Sequence, residues 1–408
     1  MVAAPTTFEQ IYKGHDFWVP SFNVKVKQKD LPAETNHDII AVRYTDVVSE
    51  IDTFELTVNN WDAETRDFKY TGPGRAANPD KPNPFEPGQE IELWMGYLEP
   101  TKQEQRDPNK PDPLRLMLAG VITSITPSFP ATGQPTMKVT GQNVLRALLT
   151  KPDTKSYENM KDSAIAETVG KRGNMKMGAQ VVKVRGADDK ARSEESPHDH
   201  ILQHEQYDVV FLLQLAHRIG YDLLLEYESK GGKTIPFLSF RPSANRRPSL
   251  ELEWGRSLIQ FSPTLTTTRQ VARVTVRYWN GKKKKVDSVT VDRDGIDFKP
   301  VSDASEKLYD RIKQGLRERE DIITDQPFRE RAKAREFAIG RLKEMARGLI
   351  SGKGSTIGTA DLRAGSVVRI SGLGKIFSGT YFIRSTTHTI GATGYITEFD
   401  ASLQEEKK

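Results

Sequence analysis

Seven histidines and no cysteine limit the metal and thiol chemistry open to this chain of 408 residues. The histidine cluster is His198, His200 and His204. On a helix, His200 and His204 would share a face at i,i+4, a spacing that can hold zinc. The stretch reads HILQH, without the glutamate of H-E-x-x-H, and Pro197 with the charged residues before it argues against a rigid helix. The cluster therefore reads as a solvated loop or strand start, and no metal site is expected. The lack of cysteine also removes disulfides, thiolate zinc sites and cysteine nucleophiles.

Gly348-Leu-Ile-Ser-Gly352-Lys353-Gly354 superficially resembles a phosphate loop. It has three residues between the glycines instead of four, and Gly354 stands where Ser or Thr would bind magnesium. A helical pattern precedes it and a strand pattern follows, the reverse of the required order. It reads as a helix C-terminus with glycine turns. There is no G-x-S-x-G elbow, and abundant carboxylates without geometry do not single out an acid–base pair. The run Lys282–Lys285 follows Gly281 at an expected hairpin tip. It could touch phosphate or an acidic subunit face, but lysines also guard sheet edges. No aromatics interleave with it as stacking platforms. Neither catalysis nor a cofactor is expected.

The charge balance agrees. Sixty Lys+Arg against 55 Asp+Glu give +5, too weak a bias over this length to imply nucleic acid. With 36% hydrophobic residues the chain can bury several cores, and its length suggests two to three domains at about 150 residues each. No apolar run approaches the roughly 20 residues that span a bilayer. The first twenty residues lack a basic start followed by an apolar core, so no secretory signal is expected.

The elements around these residues are mostly strands. SFNVKVKQ alternates Phe22, Val24 and Val26 with polar partners; IIAVRYTDVV, IDTFELTVNNW, QEIELWMGYL, LRLMLAGVITSITPSF and MKVTGQNVLRALL continue the pattern, the last ending in a short helix. Proline-rich loops at 71–88 and 99–113 interrupt it. KDSAIAETVGKRG predicts an amphipathic helix with Ser163 as a cap, and 183–200 reads as a charged flexible loop. In QYDVVFLLQLAHRIGYDLLLEY, Asp208 is a candidate N-cap. Phe211, Leu212, Leu215, Ala216 and Ile219 form the stripe, and Gly220 is the stop. YDLLLEY and TIPFLSF read as a hairpin, as do RQVARVTVRYWN and VDSVTVDR further on. Residues 328–348 carry the longest helical pattern, with Phe337, Leu342 and Met345 apolar. STIGTADL, SVVRISGL, GTYFIRSTTHTI and GYITEFDASL return to strands.

Three stretches resemble one family, the late control gene D proteins of contractile phage tails, related to baseplate hubs and to the N-terminal part of type VI secretion valine-glycine repeat spike proteins. The first is the middle module, carried by Gln203, Tyr207, Asp208, Phe211, Leu212, Leu215, Ala216 and Gly220. The second is LEWGRSLIQFSPTL. The third is the C-terminal region, with Gly365, Gly372, Gly379, Tyr381, His388, Gly394, Tyr395 and Thr397. The resemblance covers residues 150–403 well and residues 20–150 by strand pattern.

The resemblance implies a β-rich α+β fold: two tube-like β-barrel domains, a middle α+β module and an added long helix. The expected division is 1–150, 151–262 and 263–408, with a helical insertion at about 300–348 packing on the outside of the second barrel through Phe337, Leu342 and Met345. The two β regions should share a topology. The implied function is a structural hub, a homotrimer joining a hexameric tail tube protein to a separate spike protein among other baseplate subunits. It would be assembled in the bacterial cytoplasm and carried in a virion tail or injection particle. His388 is expected to be structural, at a strand end. Structural or interface roles are also expected for Phe211, Leu215, Gly220, Phe337, Leu342, Gly379, Tyr381 and Tyr395. A basic nucleic-acid-binding barrel is the alternative reading, and a hub-like cell-wall-degrading enzyme a further one.

Overall fold

The alternating segments of the two β-rich ends become strands of one fourteen-stranded sheet in the computed structural model of the chain. The structure describes residues 6–7, 19–48, 50–71, 83–98, 114–173, 175–177, 180–230, 233–243, 248–281, 283–293, 299–300, 311–312, 314–316, 319–324, 328 and 330–406. The loop at 99–113, most of that at 71–88, most of the first twenty residues, Lys282 and most of 300–327 lie outside them.

Six strands form the first unit: β1 (Val19–Val26), β2 (Ile39–Val47), β3 (Thr53–Asn59), β4 (Glu90–Leu98), β5 (Arg115–Ser128) and β6 (Thr136–Asn143). They pair antiparallel in the order β1-β4-β5-β6-β3-β2. The inward side chains, among them Val24, Phe54, Leu56, Leu93 and Val139, are buried, as period-two alternation requires.

The chain then leaves through a 3-10 turn, Val144–Leu149, into the middle module. This holds β7 (Asp153–Tyr157), α1 (Asp162–Gly173), β8 (Lys183–Arg185), α2 (Asp189–Glu194), β9 (Ile201–Gln206), α3 (Asp208–Ile219), and the hairpin β10 (Tyr221–Lys230) and β11 (Lys233–Pro242). Three local expectations change. Ser163 lies inside the first turn of α1 rather than capping it. Its N–H and hydroxyl both donate to the carboxylate of Glu195. Asp208 is the first residue of α3, after the cap Tyr207. Its carboxylate is held by Arg172 and Gln203. The segment 183–200 forms β8, α2 and the approach to β9, with Arg192 paired to Glu167 and His198 hydrogen-bonded to the buried Asp162.

A second set of six strands follows: β12 (Leu250–Glu253), β13 (Leu258–Leu265), then β17 (Ile350–Ile357), β18 (Val367–Ser371), β19 (Gly379–Gly391) and β20 (Gly394–Leu403). Their order is β12-β18-β19-β20-β17-β13. Taken by position along the chain, both sets read first, fourth, fifth, sixth, third, second. One pairing departs: β12 runs parallel to β18, whereas β1 runs antiparallel to β4. The match extends to detail. Gly88 and Gly365, both at positive φ (93 and 77), donate to Ile122 and Ile383 at 2.8 Å. One residue beyond each isoleucine the strand bulges, at Thr123 and at Arg384.

Between β13 and β17 stand β14 (Arg273–Asn280), β15 (Lys285–Asp292), β16 (Glu320–Ile323) and α4 (Arg331–Arg347). The insertion was expected to begin near 300, with the hairpin inside the second barrel. Instead β14, β15 and β16 make a separate sheet, while β13 pairs with β17. The helix covers that small sheet rather than the barrel: Ala334, Ala338 and Leu342 are buried on Val274, Val276 and Tyr278, with Phe337 and Met345 half-buried beside them.

Leu215 is buried in α3 in the same core as Leu223, Leu225, Leu238 and Phe240 of the following hairpin. Leu215→Ala is expected to cost about 2–5 kcal/mol in urea unfolding. Gly220 ends α3 at φ 71, so Gly220→Ala should cost a further ~1 kcal/mol. A change within measurement error for Leu215→Ala would contradict this packing.

Candidate functional site

Strand β19 joins the two units. One edge pairs with β20 along most of its length. The other edge pairs with β18 over Gly379–Phe382, and then with β2 of the first unit over Ser385–Ile390. The β19–β20 hairpin therefore serves two cores: Tyr381, Ile383 and Phe399 lie in the second, and Ile390 and Tyr395 in the first.

A buried polar cluster lies beneath this seam. In β2, Val42, Tyr44 and Asp46 point inward. Arg363 Nε donates to Asp46 at 2.7 Å, the Ala364 N–H donates to the same oxygen at 3.1 Å, and the Thr386 hydroxyl donates to the other. Arg363 also donates to the Tyr44 hydroxyl and, at 3.1 Å, to the Met117 carbonyl. This satisfies the carboxylate and ties a guanidinium carried by the second unit to two strands of the first, β2 and β5. Asp52, at the turn between β2 and β3, accepts from Asn143 Nδ2 at 2.8 Å. Burial pushes its carboxyl up to about 7, the charge of Asp46 adds to the rise, and Arg363 opposes it. Tyr227 of β10 accepts from the Ala119 N–H at 3.2 Å, tying the middle module to the same place.

His388 sits within β19 rather than at a strand end and is fully buried. Its Nε2 lies 3.0 Å from the Leu362 carbonyl, which can only accept, so this nitrogen carries the proton. Nδ1 then accepts from the Tyr395 hydroxyl at 2.9 Å. Burial pushes the imidazole down to about 4. Tyr395 packs over Gly358, where an added Cβ would lie 2.0 Å from the ring.

The other anticipated residues lie elsewhere. Tyr381 packs edge-on to Phe261 in the second core and donates to the Phe377 carbonyl at 2.7 Å. Gly379 opens β19 opposite Ile370. Phe211 stacks on Tyr157 in the middle module, where Gln203, Asp208 and Arg172 form one network. Phe337 and Leu342 belong to the inserted sheet and helix. His200 precedes β9 and His204 lies exposed on it. Among the described residues, no His, Asp or Glu cluster could hold a metal, and no helix is long and apolar enough to cross a membrane. Sequence reasoning missed Asp46 and Arg363. The signal for Asp46 was there: an acid continuing the inward parity of Val42 and Tyr44.

The model of a family described as Alg8 N-terminal domain matches residues 18–392. No curated protein matches the sequence. Among solved structures, the prophage MuSo2 43 kDa tail protein from Shewanella oneidensis is similar at TM-score 0.63 and 12% identity, over 94% of this chain and 98% of that one. The tail protein from Neisseria meningitidis MC58 is similar at 0.61 and 11%, over 94% and 96%. An E. coli component of the type VI secretion system is similar at 0.52 and 13%, over 94% and 79%. At these identities the likeness is one of fold: the chain has the β-rich fold of these tail proteins.

The seam predicts a pH dependence. An unfolded histidine titrates near about 6.5, so between pH 6.5 and 4 the unfolded chain binds the proton that folded His388 refuses. Stability from this residue is complete above 6.5 and lost as pH falls towards 4. Asp52 acts in the opposite sense, so comparison with a variant isolates His388. The advantage of the wild type over His388→Gln in denaturant unfolding should be larger at pH 7.5 than at pH 4.5, by on the order of 2–3 kcal/mol. An equal advantage at both pH values would contradict a buried neutral imidazole.

Proposed function

We propose a structural hub role in a contractile tail or phage-like injection particle for this chain, which belongs to the Alg8 N-terminal domain family. The observation that carries the reading is the repeated strand order: one chain supplies two units of the same six-strand arrangement, fused through β19. An adaptor between a sixfold tube and a threefold spike needs a tube-like unit twice per chain, and closed rings are the usual way oligomers satisfy such contacts. Three copies would supply six units. The proposed partners are a tail tube protein, a separate spike protein and other baseplate subunits, all met through strand edges and loops, and the role involves no covalent step.

The domain division proposed follows the pairing. The first barrel runs to about 143 and the middle module to about 249. The second barrel starts at β12, earlier than residue 263, because β12 and β13 pair with β18 and β17. The insertion occupies 266–349, and the β19–β20 hairpin is shared by both barrels.

Light scattering on the purified chain should give a mass of about three times 45.9 kDa. Electron-microscopic averages down the ring axis should show six similar densities with threefold symmetry. A monomer or dimer at high protein concentration would contradict the hub reading in this form.

A further inference from the structure

The seam between the units has a counterpart that is left open. Within the chain, the second strand of unit one (β2) pairs with the fifth strand of unit two (β19), just past its bulge at Arg384. The reciprocal pair would be the second strand of unit two, β13, against the fifth strand of unit one, β5, past its bulge at Thr123. Among the described residues, β13 beyond Leu258 pairs only with β17, and β5 beyond Val121 pairs only with β6. The outward residues Ser124, Thr126, Ser128, Ser262 and Thr264 are exposed, and Phe129 is 57% exposed.

We propose that the edge 124–129 of β5 pairs with the edge 261–266 at β13 of a second copy, in the register of the internal seam. This rests on the hub reading and adds the surface by which the copies meet. The register follows from matched pairings. Ile122 corresponds to Ile383 by bulge and glycine contact, so Ser124–Phe129 correspond to Ser385–Ile390. Phe54 of β3 and Gly352 of β17 face Gly141 and Ala401, so their partners Tyr44 and Pro263 correspond. The internal pairs His388–Tyr44 and Thr387–Thr45 then become Pro127–Pro263 and Thr126–Thr264 between copies.

The side chains agree with this register. Those on the inward face would be Ile125 with Leu265, Pro127 with Pro263 and Phe129 with Phe261, all apolar. Those on the outward face would be Ser124 with Thr266, Thr126 with Thr264 and Ser128 with Ser262, all hydroxyls. In the internal seam, Thr45 and Thr387 already make such a hydroxyl pair at 3.3 Å. Proline cannot donate to a ladder and is tolerated at sheet edges. Facing each other, Pro127 and Pro263 confine that loss to one pair. Each copy offers two different edges, so the contact is head-to-tail and closes only as a ring.

Val48 N–H donates to the Arg384 carbonyl at 2.9 Å. That makes Thr387–Thr45 a pair without mutual hydrogen bonds, the closer kind, at about 4.5 Å between Cα atoms. Thr126–Thr264 would be the same, within the reach of a disulfide. The chain has no cysteine of its own.

The test is oxidation of Thr126→Cys/Thr264→Cys, read on a non-reducing gel. The expected result is a reducible ladder ending at trimer. Each single variant and the off-register pair Ser124→Cys/Ser262→Cys should cross-link at least tenfold less. Thr45→Cys/Thr387→Cys should close within the chain and make no oligomer. Independently of any disulfide, Thr126→Asp should convert the trimer to monomer by light scattering, and adding Thr264→Arg should restore it. A wild-type trimer that cross-links no better at 126/264 than off register, or that survives Thr126→Asp, overturns the edge pairing and leaves the hub reading standing. A monomeric wild type overturns both. A ladder running past trimer overturns the closed ring.

Discussion

A carboxylate on the inward face of a barrel strand must be met by partners in fixed positions, and Asp46 makes that demand of both units at once. Its partners come from two places: Arg363 and Ala364 from the loop before β18, and Thr386 from β19. Removing any one would leave part of a charge desolvated, which costs far more than an intact buried pair contributes. The cluster is therefore weak as a source of stability and strong as a determinant of register. Sliding β19 by two residues along β2 would keep the face alternation but carry Thr386 away from Asp46. Apolar pairs such as Ile390 with Val42 would tolerate that slip better.

The surroundings of this carboxylate follow from the same low-dielectric setting. His388 stays neutral because burial disfavours a second proton, while the neutral ring donates from Nε2 to the Leu362 carbonyl and accepts at Nδ1 from the Tyr395 hydroxyl. Asp52 sits where a second negative charge is disfavoured, and Asn143 meets it with an amide. Asn143 also caps the 3-10 turn into the middle module through the Leu145 N–H at 3.0 Å. The seam between the barrels and the exit to the middle module thus share one polar cluster.

Strands and helices were legible wherever one face is buried. Val24 and Val26, Phe54, Leu56 and Val58, and the stripe from Phe211 to Ala216 all announced themselves by period. Gly220 was legible because a left-handed stop admits little else. What escaped was long-range. Nothing local says that RVTVRYWN pairs away from the barrel, since its alternation would suit either sheet. Its partners are instead β15 and β16, while β13 pairs with β17 across the whole insertion. The charged run 183–200 resembles a solvated loop in the sequence because its partners Glu167 and Asp162 lie far along the chain. Arg363 was hidden for the same reason, its contacts lying at Asp46, Tyr44 and Met117.

The shared topology of the two units was expected from the family resemblance but cannot be read from aligned residues, and backbone pairing explains why it can persist without sequence. A ladder fixes strand order through N–H and C=O groups that every residue but proline supplies, so side chains can diverge while topology is kept. What must be kept are the few positions where the backbone is unusual: the left-handed glycines Gly88 and Gly365, and the bulges at Thr123 and Arg384. Connections are freer still. The second and third strands are joined by a short turn in unit one and by residues 266–349 in unit two. The longer excursion leaves after Leu265 and returns at Ile350, which face each other in the ladder. Its ends are held together by the sheet whatever lies between, so a separate core could be added there without disturbing the strand order on which the seam depends.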